Sequence, residues 1–336
     1  MKRLVLSLLV AACVAAAAFA GGASERTSSV SSTPLIGISK IVSHPALDAV
    51  EKGIQDELAA EGVNARYDLQ NANGDINTAA SIANKFKSEH VTVAVGIATP
   101  TAQALVNAIK DIPVVYAAVT DPVGAGLVSS LDKGEANVTG VSDLTPVKQQ
   151  IELLMQIKPI KRLGHVYSSG EANAVALAKL AAEACNQLGI EFVPTTVTNS
   201  AEVKQATETL VGKVDGIYVS TDNTVVSALS SLTDVAMRNG IPVMSADPSS
   251  AETMDVLAAW GFDYYKMGRA TGKMIASILQ GTKTSDIPTK FMTDPSDVDL
   301  LINLDVAKKL GLTVPQTIIE KANTVVKDGK LTKKST

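Results

Sequence analysis

The chain is predicted to adopt an α/β fold, with two doubly wound parallel-sheet lobes joined by three crossings. Three observations predict it. Short apolar runs alternate with helical stretches along most of the 336 residues. The alternation restarts near residue 146. One segment occurs twice: VTVAVGIATPTAQAL…DIPVVYAAVTDP from Val91 to Pro122, and VDGIYVSTDNTVVSAL…GIPVMSADP from Val214 to Pro248. Each copy is an apolar run, a Thr-rich turn, a helix-like stretch and a second apolar run closed by Asp-Pro. That is a β-α-β unit followed by a polar loop. Alternating strands and helices demand mostly parallel sheets covered on both faces, and right-handed crossovers leave few other topologies.

In order, a strand is expected over residues 34–39, a helix over 46–61 stopped by Gly62, and a strand over 65–70. A turn from Asn71 to Asp75 leads to a helix over 76–89, a strand over 91–97, a helix over 101–109 and a strand over 113–119. A fifth strand, 138–141, ends in Ser142 and Asp143. The second half opens with a helix over 146–157, a strand over 162–167 and a turn at Ser168-Ser169-Gly170. A long helix over 171–188 is ended by Gly189. A strand over 190–197, a helix over 202–210, a strand over 216–220 and a helix over 225–238 follow. Strands over 243–246 and 256–260 and a helix over 263–279 complete the pattern.

These elements divide into a first lobe of residues 34–143 plus 262–282 and a second of 144–261 plus 283–325. The crossings fall near Ser142 to Pro146, near Gly261 and near Pro288. Residues 327–336 are Lys-rich without apolar periodicity and read as a solvated tail, with disorder expected over 326–336.

The amino terminus has the form of an export signal. Met1, Lys2 and Arg3 are its positive start, an apolar run reaches Phe19, and Ala18-Phe19-Ala20 is a small-x-small cleavage site. The run is short for a membrane span of roughly 20 residues. Val10-Ala11-Ala12-Cys13 also resembles a lipobox, so a lipid anchor at Cys13 is the alternative to cleavage after Ala20. Residues 21–33 form a Ser/Thr/Gly-rich tether. The rest is expected to work in the periplasm or on the extracellular face of the cytoplasmic membrane.

Hydrophobic content of 46% permits a sizeable core, with aromatics scarce at 4%. The formal charge of −4 argues against nucleic acid and against a polybasic membrane patch. Only Cys185 remains after cleavage, so no internal disulfide is expected. Its setting, AKLAAEACNQLG, reads as a buried helical thiol.

Several chemistries are missing. Gly268 to Lys273 has the wrong spacing for a phosphate loop, Gly124-Ala125-Gly126 lacks a third glycine, and there is no Gly-x-Ser-x-Gly elbow. His44, His90 and His165 have no metal-type spacing to each other or to Cys185. No cofactor, no metal and no catalytic group is expected, and the chain is read as not an enzyme.

What remains is a set of polar residues at strand ends. Ser39 and His44 follow the first strand, Thr99 and Thr101 the third, Thr120 and Asp121 the fourth, and Ser142 and Asp143 the fifth. Glu171 and Asn173 follow Tyr167; Thr221, Asp222 and Asn223 follow Ser220; Asp247 follows Ala246. Each on its own is equally a helix cap. As a set they occupy the carboxyl ends of parallel strands in both halves, where open α/β sheets bind ligands. Helix N-termini hold anionic groups without arginine, and none falls in these loops. Asp121, Glu171, Asp222 and Asp247 suit an ammonium, so an amino acid fits. Tyr116, Tyr167, Tyr218 and Trp260 read as core packing.

These residues resemble a known family, the bacterial ABC-transporter substrate-binding proteins that include tryptophan and other aromatic amino-acid binders. The matching pieces are Gly37 to Ser39 with His44 to Asp48, Ala98 to Gln103, Ile112 to Val114 with Val119 to Gly126, Asn137 to Asp143, Glu171 to Asn173, Thr221 to Asn223 and Gly268 to Gly272. Ser168-Ser169-Gly170 departs from the Asn-Pro type of turn expected before the Glu. The resemblance implies a type I periplasmic-binding-protein fold, Rossmann-like in each lobe, with a ligand held between lobes that close about a hinge. It implies a monomer that delivers a small molecule, at best an aromatic amino acid, to a permease and its ATPase. A sugar- or nucleoside-binding protein of the same fold, or a ligand sensor for a membrane receptor, is the alternative.

Overall fold

A computed structural model describes residues 33–334. The export signal, Cys13 and all but the end of the tether lie outside the described residues.

The chain starts as strict β-α alternation. β1 (Leu35–Lys40), α1 (Pro45–Ala60), β2 (Arg66–Asn71), α2 (Ile76–Ser88), β3 (Val93–Ile97), α3 (Thr99–Ala108), β4 (Val114–Val119) and β5 (Val138–Ser142) make the first sheet and its cover. β3, β4 and β5 are buried along their whole length, as the unbroken apolar runs of a sheet covered on both faces require. The pattern resumes with α4 (Val147–Ile157), β6 (Arg162–Ser168), α5 (Ala172–Leu188), β7 (Glu191–Val197), α6 (Val203–Glu208) and β8 (Gly216–Val219). It continues through α7 (Asn223–Ser227), α8 (Leu229–Arg238), β9 (Val243–Ser245), α9 (Pro248–Ala251) and β10 (Ala258–Phe262). Then come α10 (Tyr264–Leu279), β11 (Lys290–Phe291), β12 (Val298–Asn303), α11 (Leu304–Lys309), α12 (Gln316–Lys321), β13 (Thr324–Lys327) and β14 (Lys330–Lys333).

Two sheets result. The first has the order β11-β5-β4-β3-β1-β2 and the second β14-β13-β12-β10-β9-β8-β6-β7. One core, including Ile36, Ile38, Val95 and Tyr116, fills the first sheet and reaches Met267 and Ile275 of α10. Two further clusters, around Leu163 and Tyr218 and around Val219 and Leu232, fill the second. The chain passes from first sheet to second between Ser142 and Val147 and returns between Phe262 and Tyr264. It passes again between Phe291 and Val298.

Four expectations are corrected. The second sheet is mixed: β12 runs antiparallel to β10 and β14 antiparallel to β13. The chain re-enters it from β11 through a single 3-10 turn, Pro295–Asp297, with no α-helix to carry it back to the parallel direction. The third passage lies beyond Pro288, because Lys290 and Phe291 pair with Val141 and Ser142 of the first sheet. The helix expected over 225–238 is two helices, interrupted at Ala228. The Lys-rich end is not a loose tail up to Lys333. Asp328 and Gly329, at φ 51° and 70°, make a two-residue hairpin turn. Their N–H groups donate to the Asp305 carboxylate, which pins the hairpin against α11.

Cys185 is buried in the second core, as its helical setting predicted. His165 is fully buried, bonds the Tyr218 carbonyl through Nδ1 at 2.8 Å, and stacks near Tyr167 and Tyr218.

α10 is what brings a late segment back to the first half. It lies against α1 so closely that Gly53 and Gly268 are obligatory. A Cβ on Gly268 would sit 2.2 Å from the Val50 carbonyl oxygen, and one on Gly53 2.3 Å from that of Tyr265. Arg269 of α10 pairs with the buried Glu57 of α1, and the Tyr265 hydroxyl donates to Asp56.

Candidate functional site

Parallel strands place their strand-to-helix loops at one edge, and both sheets carry their polar loops there. In the first sheet these turns are tight. Ala98, between β3 and α3, has φ 77°, and Ala118 of β4 has φ 53°. β4 carries a bulge, its register against β5 shifting between Tyr116 and Val119. Alanines held at positive φ cost on the order of 1–3 kcal/mol each. Such strain persists where surrounding structure over-determines it, often beside a functional site.

A small cavity of about 10 Å³ lies where polar loops of the two halves meet. His44, Leu47, Ala118, Asp143 and Tyr264 line it from the first-sheet side. Asn173, Thr221, Asp222, Asn223, Val226 and Asp247 line it from the second. His44 precedes α1 in an extended conformation, with Pro45 opening the helix and no cap bond holding the imidazole. It therefore faces across the cavity, with Nδ1 4.0 Å from Asp247 Oδ2.

The polar lining divides by whether its hydrogen bonds are already made. Asp222 Oδ1 accepts from the Val225 N–H at 3.0 Å and caps α7; Oδ2 accepts from the Ser168 N–H at 2.6 Å and ties the end of β6. Glu171 stands before α5 but caps α7 instead, accepting from the Thr224 N–H and hydroxyl at 2.9 and 2.7 Å. Its other oxygen accepts from the side-chain amides of Asn223 and Asn173. Asp143 accepts from the Thr120 hydroxyl at 3.0 Å and the Tyr264 hydroxyl at 3.2 Å. Ser142 donates to the Thr120 carbonyl. By contrast both ring nitrogens of His44, Asn173 Oδ1, Thr221 Oγ1 and Asp247 Oδ2 are buried on the cavity wall without partners. Ser39 Oγ, Thr99 Oγ1 and Ser220 Oγ at nearby strand ends are also unpartnered. Buried polar atoms are normally paired, so these unpaired ones call for an explanation, and most of them cluster at this one cavity.

The site is acidic. Among the described residues five carboxylates are buried: Glu57, Asp143, Glu171, Asp222 and Asp247. Glu57 is paired with Arg269 and Lys273. The other four gather at this cavity, and neither Lys nor Arg lines it. Burial pushes the Asp143 carboxyl up to about 6, with the Asp247 charge adding to it. Burial, then the neighbouring Glu171, pushes Asp222 up to about 8. Burial holds the His44 imidazole below its usual range, against the opposing pull of Asp247. The Tyr264 hydroxyl is pushed well up by burial and by Asp143 and Asp247.

Of the residues singled out in the sequence, His44, Asp143, Asn173, Thr221, Asp222, Asn223 and Asp247 line the cavity. Thr120, Ser142 and Glu171 stand behind them through the bonds above. Thr101 is buried and returns its hydroxyl to the Ile97 carbonyl at 2.6 Å, a local helix bond. Asp121 lies instead on a broad surface groove with Gln103 and Lys179, accepting from the Gly124 N–H in its own turn. Four lining residues had no place in the sequence reading: Leu47, Ala118, Val226 and Tyr264. Tyr264 carried a usable signal, since it opens a helix directly after the Asp263 cap and the second passage between sheets. Tyr116 and Tyr218 are core residues, their hydroxyls bonded to Thr289 and Gln150.

Two facing surfaces thus offer carboxylates, amides and hydroxyls to one cavity.

Comparison with known proteins places this geometry. The family model described as ABC transporter substrate binding protein matches residues 35–326. The chain is 38% identical over 282 residues to a tyrosine-binding protein of Clostridioides difficile, covering 82% of this chain and 81% of that one. It is 35% identical to the solved ABC domain of Streptococcus pneumonia in complex with L-Trp, with a TM-score of 0.84 over 88% of this chain and all of that one. A ligand-free, open substrate-binding protein with adhesive properties from Clostridium difficile is 39% identical. Its TM-score is 0.64, over 84% of this chain and 96% of that one.

Proposed function

The chain belongs to the ABC transporter substrate-binding proteins, and on that premise we propose that it captures an aromatic amino acid in the cavity between its two sheets. It delivers that solute chemically unchanged to a membrane permease coupled to a cytoplasmic ATPase, working outside the cytoplasm as a monomer after its export signal is removed or lipidated. Among the described residues no helix is long and apolar enough to cross a membrane.

The observation that carries this reading is the cluster of unpartnered buried polar atoms contributed by both halves to one cavity. The cavity is small as it stands, about 10 Å³, so a solute of amino-acid size enters it only when the two halves part. The tyrosine- and tryptophan-binding relatives support the aromatic class.

Capture proceeds by hinge closure. One lobe comprises residues 34–143 with α10, the other most of the remainder, and the passages after Ser142, after Phe262 and after Phe291 are the hinge. A ligand shifts such an equilibrium only by binding the closed form better than the open one. Contacts from both sides, His44 and Asp143 against Asn173 and Asp247, meet that requirement. The structure overlays better on the tryptophan complex than on the open protein, although the open one is the more identical in sequence. That supports a closed arrangement here.

Thermal-shift and calorimetric screening against amino acids, sugars and nucleosides tests the proposal, because a ligand of the folded state raises the melting temperature by mass action. Stoichiometric binding of tyrosine or tryptophan, recovered with unchanged mass, is expected. A response to a sugar or nucleoside alone, or turnover of the solute, rejects it.

A further inference from the structure

We infer that the site selects its ligand by a protonated primary amine received at Asp247, so that solutes keeping the amine and lacking the carboxylate still bind, while those keeping only the carboxylate do not. The inference rests on the binding reading above and extends the ligand class to aromatic alkylamines.

The argument is a partner count. Asp222 and Glu171 use oxygens on backbone N–H groups, hydroxyls and amides of their own half. Asp143 already accepts two hydroxyls. Asp247 differs. Its Oδ1 accepts from the Ser250 N–H at 3.2 Å and caps α9, while Oδ2 is buried on the cavity wall with no donor. The group facing it is His44, at 4.0 Å, whose imidazole also lacks any partner. Asp247 is 1% exposed, so bulk solvent does not reach it. A buried carboxylate without hydrogen bonds or a counter-charge is strongly unfavourable. An ammonium supplies both, with three donors from one atom.

The carboxylate of an amino acid has no equivalent on this wall. Neither Lys nor Arg lines the cavity, and three aspartates do. Only neutral donors are available to it, the amides, hydroxyls and helix N-termini of the loops. Charge-assisted hydrogen bonds are roughly twice as strong as neutral ones, and an anion placed beside Asp247 meets like charge. Recognition is therefore lopsided, with the amine carrying most of the polar selectivity.

Isothermal calorimetry on the purified chain tests this with tyrosine and tryptophan, tyramine and tryptamine, and the two deaminated acids, 3-(4-hydroxyphenyl)propanoate and 3-(indol-3-yl)propanoate. The amines are expected to bind within about 30-fold of the amino acids, and the acids more than about 100-fold more weakly. Asp247→Asn keeps an amide oxygen for the Ser250 N–H, so its melting temperature is expected to stay close to the parent's. Its preference for amine over acid is expected to shrink below about tenfold. Amino acids that bind while the acids match or outrank the amines overturn the inference and leave the binding reading standing. Amines that bind while amino acids do not uphold it and reject the amino-acid reading. Binding by neither removes both. If Asp247→Asn retains the full preference, the amine is received elsewhere and the assignment to Asp247 falls.

Discussion

His44 Nδ1 and Asp247 Oδ2 stand 4.0 Å apart, one at the head of α1 and the other at the head of α9. They face each other across the cavity from opposite sheets, and neither atom has a hydrogen-bond partner. Removing the imidazole therefore breaks no existing hydrogen bond of its side chain. His44→Ala is expected to leave the ligand-free melting temperature within a few degrees and to weaken ligand binding roughly tenfold. Thermal shift and calorimetry measured together check it. A large loss of ligand-free stability with intact affinity would show that the residue is merely structural.

Asp222 behaves in the opposite way. Its carboxylate ties the Ser168 N–H at the end of β6 and caps α7 through the Val225 N–H. Asp222→Ala is expected to cost about 2 kcal/mol from a lost cap and an unsatisfied buried donor, seen as a melting temperature lower by several degrees. Chemical denaturation reads the loss directly. A variant as stable as the parent, with only binding changed, contradicts the structural role.

The Asp143 carboxyl gives a pH dependence with a definite sign. Its value in the folded protein, about 6, is raised above the ordinary 3.8 of an unfolded aspartate. The stability contributed by the bound proton is fully present below the lower value and is lost as pH rises through the higher one. Asp143→Asn abolishes that titration, so its melting temperature relative to the parent is expected to climb between pH 4 and pH 7. An amine ligand favours ionised Asp143, so parent affinity is expected to rise through pH 6. A constant difference in melting temperature across that range would falsify the assignment.

Asp121 is the comparison residue. It lies on the surface groove, bonded within its own turn. Asp121→Ala is expected to leave ligand affinity within about twofold of the parent, because Asp121 does not line the cavity and its Oδ1 is used within its own turn. A tenfold loss in calorimetry would move the site outward into the groove.

Gly268 tests whether the first half is a rigid platform. A methyl group there meets the Val50 carbonyl oxygen at 2.2 Å, so α1 and α10 must separate. Gly268→Ala is expected to destabilise by about 1–3 kcal/mol. Because α1 follows His44 and α10 begins with Tyr264, ligand affinity is expected to fall as well. Unchanged stability and affinity together would mean that the helices yield without disturbing the cavity.

Much was legible in the linear pattern because it is local. The alternation of apolar runs and amphipathic helices, the glycine after α5 and the Asp and Asn caps follow from neighbours a few residues apart, and they place seven cavity-lining residues at strand ends. The Asp328-Gly329 hairpin was legible too, but lysines around it masked the turn signal. Other features were not local. The antiparallel entry of β12 and the pairing of Lys290 and Phe291 with β5 depend on which edge of a sheet is free when a distant strand arrives.

The sequence by itself determined a repeated β-α-β architecture with two rims of polar residues, because periodicity and capping are short-range properties of the chain. Only the tertiary structure decided which of those residues remain available. Asp222 and Glu171 are taken up by α7 and its neighbours, Thr101 by its own helix, and Asp247 is left with a bare oxygen facing His44. Hydrogen-bond satisfaction is assigned by contacts across the fold, and that assignment distinguishes a carboxylate that holds a loop from one left with an unused oxygen.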